Sequence, residues 1–482
     1  MRFLAPAAFL RKQEAGARND IQRKNRIFMN AKQRTRQLEV WDKKYTWHSF
    51  TQMKEWCEGP IVVIEKGEGN YLVDTQGRRY LDGVSSLWCN VHGHRVKKID
   101  SAIQSQLKKI AHSTFLGLSH EPAILLSKKL VEIAPKGLTR VFYSDSGSAS
   151  VEVALKMAYQ YWQLKGQRSR KLFLKLNNAY HGDTLGSVSV GGIDLFHEVY
   201  GPLTFKTLKI DAPYYYRDKF KGSEGDYAEY CAAKVERILR KQGRKICALV
   251  VEPLIQGAAG MLRQPKGYLS RLGKLTKKYN VLLIVDEVAT GFGRTGTMFA
   301  CGQESVSPDF LCIAKGVTGG YLPLSATLTT EGVYDAFLGD YGEFKHFFHG
   351  HTYSANPLAC AAALANLEIF EKEGTLEQLK PKIRILTEEL EKFKRLPHVG
   401  DIRQAGFMVG IELVKDTKTK TPYPLAQKVG AMVGLLARKH GVIIRPLGNV
   451  VVLMPPLSIS ESELYKLCRV VYRCIKQITE LR

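Results

Sequence analysis

Short apolar runs alternate with longer segments of helical period along most of the chain. Residues 61–83 come first: IVVIEKGEG, YLVDT, a QGR turn and RYLDG mix apolar alternation with turn residues, which predicts a β-meander. From about 96 to 330 the pattern changes. The apolar runs there are RVFYSDSG (140–147), LFLKL (172–176), CALVVEP (247–253), VLLIVDEV (281–288), FLCIAKG (310–316) and LSATLTT (324–330). Between them lie amphipathic stretches such as SVEVALKMAYQYWQL (150–164) and LSRLGKLTKKY (269–279). Strand–helix alternation of this kind predicts an α/β domain, a mostly parallel sheet with helices on both faces. Residues 360–395 read as two helices and 398–414 as a hairpin. A helix near 424–440, strands VIIRPL and VVVLMPP, and a last helix from Ser460 complete a smaller α+β unit. The expected domains are 1–40, a basic and poorly ordered extension; 41–94, a segment joining the small domain; 95–355, the large domain; and 356–482, the small domain.

Composition narrows the classes. The chain has 482 residues, 45% of them hydrophobic and 24% charged, which excludes wholesale disorder. No run approaches about 18 consecutive apolar residues, so no membrane-spanning helix is expected. The 42 glycines follow no fixed period, against collagen and short repeats. The net charge of +25 raises a nucleic-acid partner as a rival reading. Residues 1–40 hold ten Lys/Arg against three acids, and the remaining excess is spread along the chain, which reads as surface bias rather than a binding stripe. Nine scattered cysteines form no CxxC pair and no zinc-like cluster, so reduced thiols, a cytoplasmic setting and no metal are expected. MRFLAPAAFLRKQ opens basic and apolar, but Arg11-Lys12 closes the run too early for a secretory signal. Its Arg content suits a transit peptide, whereas Glu14 and Asp20 count against one, and Met29 is an alternative start.

In open α/β sheets ligands sit at the carboxyl ends of strands, so the residues after each run are the candidates. Ser146-Gly147-Ser148 opens a helix, where free N–H groups bind phosphate; an ordinary helix cap is the alternative. Ala179-Tyr180-His181-Gly182 offers an aromatic that either stacks on a flat ring or packs in the core. Asp286 closes a fully apolar strand and needs a cation or metal there. GFGRTG (291–296) suits a tight loop beside a ligand. Lys315 stands at a strand end with Gly316 behind it; desolvation lowers the pKa of such an amine and lets it form a Schiff base with an aldehyde. Imine lysine, ring acid, phosphate cradle and stacking face are the four needs of pyridoxal phosphate. Metal-dependent hydrolysis needs more His or acid ligands at these ends than the sequence supplies.

VDEVATGFGRTG followed by AKGVTGG resembles the class III pyridoxal-phosphate aminotransferases of fold type I. DGVSSLWCNVHGH (82–94), SDSGSASVEVALKMA (144–158), YHGDTLGSVSVGG (180–192), HGHTYSANPLACAAA (349–363), RPLGNVVVLMPPL (445–457) and Ala289 look like the branch that aminates 8-amino-7-oxononanoate in biotin synthesis. The resemblance covers about residues 44–480. It implies that Lys315 carries the cofactor and moves the proton, and that Asp286 binds the pyridine nitrogen. It implies Gly147 and Ser148 at the phosphate, joined by His351 and Thr352 from the other subunit of a homodimer. Val288 belongs to the same cofactor site, Tyr180 and Trp88 line ring and substrate, and Gly350 touches substrate through its backbone. Arg445, with Arg294 nearby, is similar to the arginine that pairs with the acceptor carboxylate. One departure concerns WHSFTQMKEW (47–56): Phe50 stands where adenosylmethionine-using enzymes carry tyrosine, and FTQMK is similar to the lysine-using branch. Lysine is therefore the expected amino donor, with S-adenosylmethionine, or another class III ω-aminotransferase activity, as alternatives.

Overall fold

The computed structural model describes residues 30–480. They divide into two compact units at Tyr80/Leu81. Residues 1–29 of the expected extension lie outside the described residues. Residues 31–40 do not belong to a loose tail: the helix Ala31–Tyr45 runs through the boundary expected at residue 40, capped by Asn30 in a capping box with Gln33.

The first unit also contains the helix Met53–Glu58 and the expected meander. Its strands are β1 (Ile64–Glu68) and β2 (Tyr71–Asp74), which run antiparallel, and it ends within β3 (Arg79–Asp82). Asp74 fixes the turn between β2 and β3: its Oδ1 accepts the N–H groups of Gln76 and Arg78, each at 2.9 Å, and its Oδ2 accepts from Arg78 Nε at 2.7 Å. Phe50 belongs to this unit, 58% exposed and with φ 50°.

The second unit is built on a seven-stranded sheet. Its strands are β4 (Leu138–Ser144), β5 (Leu172–Leu176), β6 (Thr207–Ile210), β7 (Ile246–Val251), β10 (Leu282–Asp286), β11 (Phe310–Ile313) and β12 (Ser325–Thr330), in the order β4-β12-β11-β10-β7-β5-β6. The short pair β8 (Ile255–Gln256) and β9 (Leu262–Arg263) follows β7. All sheet neighbours are parallel except β12, which runs antiparallel to β4 and β11. β7, β10 and β11 are buried along their whole length, which explains why they read as continuous apolar runs rather than alternating ones. Helix Gly147–Leu164 covers one face, sinking Val151, Ala154, Leu155, Ala158 and Trp162 onto Ala248, Val250, Ile284 and Cys312.

A second sheet contains β13 (Val399–Ala405), β14 (Met408–Asp416), β15 (Thr421–Pro422) and β17 (Val450–Leu453). The VIIRPL segment forms only the two-residue β16 (Val442–Ile443), which pairs in parallel with Leu81 and Asp82. Pro446 has no N–H to continue a ladder, and Arg445 leaves the pairing. The expected helices appear as Pro357–Lys372, Thr375–Phe393, Val429–Lys439 and Glu461–Glu480. The nine cysteines are free. No helix among the described residues is long and apolar enough to cross a membrane, and no metal-ligand cluster is gathered among them.

Candidate active site

Parallel strands bring their carboxyl ends to one side, and the register decides which residues meet there. Asp286 pairs with Cys312 across β10 and β11, so Asp286 and Lys315 leave the sheet side by side. Val251 pairs with Val285, which puts Glu252 next to them. β5 is the following strand, and Tyr180 and His181 lie just beyond its end. β4 runs antiparallel to β12, which runs antiparallel to β11, so Ser144 and the Gly147 turn come to the same side.

Asp286 is 4% exposed. Burying its carboxylate is offset by two contacts: Oδ2 lies 2.7 Å from His181 Nδ1, and Oδ1 accepts the Val288 N–H at 2.9 Å. His181 is itself buried, and its Nε2 has no hydrogen-bond partner among the described residues. Nδ1–H donating to Asp286 fixes the tautomer and leaves Nε2 bare. Burial pushes the Glu252 carboxyl up to about 7, although its two oxygens accept the Gly257 N–H at 3.0 Å and the Tyr180 N–H at 3.2 Å. Lys315 follows β11 with φ 44°, a left-handed conformation costly for a side chain with a Cβ. Its Nζ lies 5.3 Å from the centre of the Trp88 ring. Burial lowers the pKa of this amine, against the opposing pull of Asp286.

The phosphate-side turn is tight. Ser146 caps helix Gly147–Leu164, its side chain accepting the Ala149 N–H at 3.2 Å. The first N–H groups of a helix have no acceptor within it and attract anions. A Cβ on Gly147 would stand 2.6 Å from Val288 Cγ1, and one on Gly182 (φ 118°) would stand 1.9 Å from Ser148 Oγ. Glycine at both positions therefore lets the 180–183 turn lie on the helix start, where the Asp183 N–H donates to Ser148 Oγ at 3.2 Å. Tyr180 donates its hydroxyl to Asp183 at 2.7 Å, and burial, with that carboxylate, raises its pKa.

Trp88 is 7% exposed, on a turn with φ 64°. Arg445 is exposed at the surface turn after β16, and its charge acts on Tyr180. His351, also exposed, lies 2.9 Å from Asp145 Oδ1 of its own chain, one residue before the helix cap; Gly350 and Thr352 are exposed beside it. Arg294, unlike Arg445, is buried. It is 1% exposed and donates to Ser85 Oγ at 3.1 Å, to the Pro455 carbonyl at 2.8 Å and to the Asn90 carbonyl. Its Nε is buried without a hydrogen-bond partner among the described residues.

The sequence reading missed His181 and Glu252 as functional neighbours. Glu252 carries the same signal as Asp286, a charge closing a fully apolar strand. His181 has no such signal, because its partner is 105 residues away.

An amine at a strand end, a buried acid held by an imidazole, a glycine-lined helix start and two aromatics fit pyridoxal phosphate and its phosphate group. Residues 53–475 match the family described as Aminotransferase class-III. The chain belongs to the class-III aminotransferases. The adenosylmethionine-8-amino-7-oxononanoate aminotransferase of Aquifex aeolicus (strain VF5) is 56% identical to this aminotransferase over 89% of the chain and 94% of its own. The crystal structure of the Methanocaldococcus jannaschii enzyme of that name superposes with a TM-score of 0.88 at 50% identity, covering 92% and 99% of the two chains. An omega transaminase from Pseudomonas jessenii, solved in complex with PMP, gives the same TM-score at 32% identity, covering 92% and 98%. The chain is thus a pyridoxal-phosphate-dependent aminotransferase of fold type I. Shape alone does not separate the two activities among its relatives, since both superpose equally well.

Proposed function

We propose that this aminotransferase converts 8-amino-7-oxononanoate to 7,8-diaminononanoate, a step of biotin synthesis, in the cytoplasm. The observation that carries the reading is the 56% identity, spread over 94% of a relative that bears the first compound in its name. The omega transaminase stands much further away at 32%. Turnover of 8-amino-7-oxononanoate by the purified enzyme tests the reading. No turnover with any amino donor, alongside activity on simple ω-amines, would replace it with the ω-transaminase alternative.

The chain's residues divide the work as follows. The bound cofactor supplies an electron sink for the pair left when the donor loses a proton. Lys315 Nζ, with its pKa lowered by burial, takes that proton as general base and later returns it. Asp286, held by His181, would offer its negative charge to the ring nitrogen. The Gly147 and Ser148 N–H groups hold the phosphate at the helix start, with Val288 closing that side. Tyr180 and Trp88 flank the ring, Arg445 pairs with the acceptor's carboxylate, and Gly350 contacts substrate through its backbone. His351 and Thr352 reach the phosphate of the partner subunit in a homodimer. Support for the dimer comes from the surface of that segment: Tyr341, Phe344, Phe348 and Tyr353 are 82%, 68%, 72% and 60% exposed, an aromatic cluster of the kind a second copy covers.

For the donor we favour lysine. Phe50 lacks the hydroxyl with which a tyrosine could serve the polar groups of adenosylmethionine. The relatives' names favour adenosylmethionine instead. A half-reaction decides between them: the loaded enzyme is mixed with each amine alone, and conversion of the cofactor to its amine form is followed. Faster conversion per molar by adenosylmethionine overturns the lysine reading. If lysine wins, Phe50→Tyr should move the ratio toward adenosylmethionine by about 1–2 kcal/mol.

A further inference from the structure

The buried residues of helix Pro357–Lys372 are apolar with one exception. Ala362, Ala363, Ala365, Leu367 and Ile369 are buried there, and Asn366 sits among them at 0% exposure. Asparagine is a poor residue for a helix interior, and an amide taken out of water is costly unless its polar atoms find partners. The partners of this one are specific. Its Nδ2 donates to the carbonyls of Gly316 and Val317, each at 3.0 Å. Two carbonyls around the nitrogen settle which end of the amide faces them. The amide oxygen lies on the Gly319 side, where a Cβ would stand 2.9 Å from it.

Gly316 and Val317 are the two residues after Lys315, in the single 3-10 turn Lys315–Thr318 that follows β11. The turn has few bonds of its own. The Val317 N–H donates to the Ala314 carbonyl at 3.1 Å, and the Gly319 N–H to the Gly316 carbonyl at 3.0 Å. One such turn is a weak support, because its hydrogen-bond geometry is poorer than that of an α-helix. Lys315 opens it with φ 44°, a conformation that persists only where the surroundings hold it. One wall is Phe292, since a Cβ on Gly316 would stand 2.8 Å from Phe292 Cβ. The other is the Asn366 amide. An apolar side chain of the same size would fill the space, but it would not fix the direction of two successive carbonyls, and with them the path by which the chain leaves Lys315.

We propose that Asn366 is a positioning residue for the amine. By holding the Gly316 and Val317 carbonyls it fixes the turn from which the Lys315 side chain projects, and so the reach of Nζ to the cofactor aldehyde and to the donor's proton, without touching cofactor or substrate. The inference rests on the proposed role of Lys315 and not on the identity of either substrate.

Asn366→Leu keeps the approximate volume and removes both donors. Asn366→Ser keeps one hydroxyl donor and serves as the second variant should the first not fold. Each apoenzyme is given pyridoxal phosphate, which must react with Lys315. Separately it is given pyridoxamine phosphate, which carries no aldehyde and binds through ring and phosphate contacts alone. Capture of pyridoxal phosphate, followed by the visible absorbance of lysine-bound cofactor, should slow about tenfold in Asn366→Leu and about threefold in Asn366→Ser, the scale of the hydrogen bonds removed. The Kd for pyridoxamine phosphate should stay within about twofold of wild type. In the loaded enzyme, the maximal rate of the donor half-reaction should fall with capture, while the donor concentration giving half that rate stays the same. A side chain that only packs the helix would weaken both cofactor forms together or neither. Equal losses for the two forms, an unchanged capture rate, or loss of cooperative melting in both variants overturns the proposal. Lys315→Ala is run alongside. If it still gives the absorbance of lysine-bound cofactor, the role of Lys315 fails, and this inference with it, before any Asn366 variant is read.

Discussion

The carboxyl ends of β7, β10 and β11 and the segment around residues 345–353 flank the same helix start, and they are finished in opposite ways. At the strand ends the charges are answered from within the chain: Asp286 by His181 and the Val288 N–H, Glu252 by the Tyr180 and Gly257 N–H groups. In the other segment His351 and Thr352 stand exposed among exposed aromatics, with the His351 ring nitrogen 2.9 Å from Asp145 and its N–H donating to Ser354 Oγ. The difference separates chemistry that one folded chain completes from binding that a second copy is proposed to complete. Changes at the strand ends should damage the reaction in every subunit independently. Changes in the exposed segment should be felt in the neighbour.

The largest effect is expected from Lys315→Ala. The fold should survive, because the side chain sits at a strand end rather than in the sheet, but transamination and the visible absorbance of lysine-bound cofactor should both disappear. Full turnover by this variant would remove Lys315 from its role. Asp286→Asn comes next: cofactor stays bound, while the neutral amide no longer supports the charge of the ring nitrogen, and single-turnover rates should fall by several orders of magnitude. His181→Phe keeps the ring's volume and removes only the contact to Asp286. A loss of about 10–100-fold in kcat is expected, the worth of one charge-assisted hydrogen bond. If it matches Asp286→Asn instead, the pair acts as a unit.

These strand-end groups were largely legible in the sequence. A charge closing a buried strand is costly, so Asp286 and Lys315 stand out against the apolar runs before them, and Glu252 carries the same signal although it was passed over. Long apolar periods also placed most strands within a residue or two, as with LFLKL and Leu172–Leu176. The edge strand Thr207–Ile210 escaped because KTLKI is short and mixed. VIIRPL predicts a longer strand than forms, because Pro446 ends the pairing. GFGRTG places Arg294 in a ligand-side loop, and only the folded chain shows its two Nη groups donating to Ser85, Asn90 and Pro455. His181 and the Trp88 turn depend on contacts between distant segments, which no local pattern encodes.

A smaller effect concerns how the apoenzyme takes up its cofactor. Only the neutral amine of Lys315 attacks an aldehyde. Burial lowers its pKa below the ordinary 10.5, so the neutral form becomes available at lower pH than for a free lysine, although Asp286 pulls the other way. The rate of pyridoxal phosphate capture should rise with pH through a midpoint below 10.5. A midpoint at or above that value would mean that the charge of Asp286 outweighs burial. Raised salt should leave the midpoint nearly unchanged, because groups this deep are weakly screened.

The smallest effect is the one that tests the comparison most directly. Thr352→Ala should weaken cofactor binding by about fivefold, the scale of one neutral hydrogen bond, with little change in the rate of bound sites. The size alone does not say which subunit's phosphate Thr352 serves. A mixture does. Lys315→Ala and Thr352→Ala proteins are combined, subunits are allowed to exchange, and the sites that still carry lysine-bound cofactor are titrated. If Thr352 acts across the interface, each mixed dimer has one site with both lesions and one with neither, so a population binding cofactor with wild-type affinity must appear. If Thr352 serves its own chain, every site with an intact Lys315 also carries the threonine lesion, and all of them bind about fivefold weakly. Wild-type sites in the mixture would keep the exposed segment as the partner's contribution. Their absence would make both regions work of a single chain, and the aromatic surface at Tyr341, Phe344, Phe348 and Tyr353 would then need a different occupant.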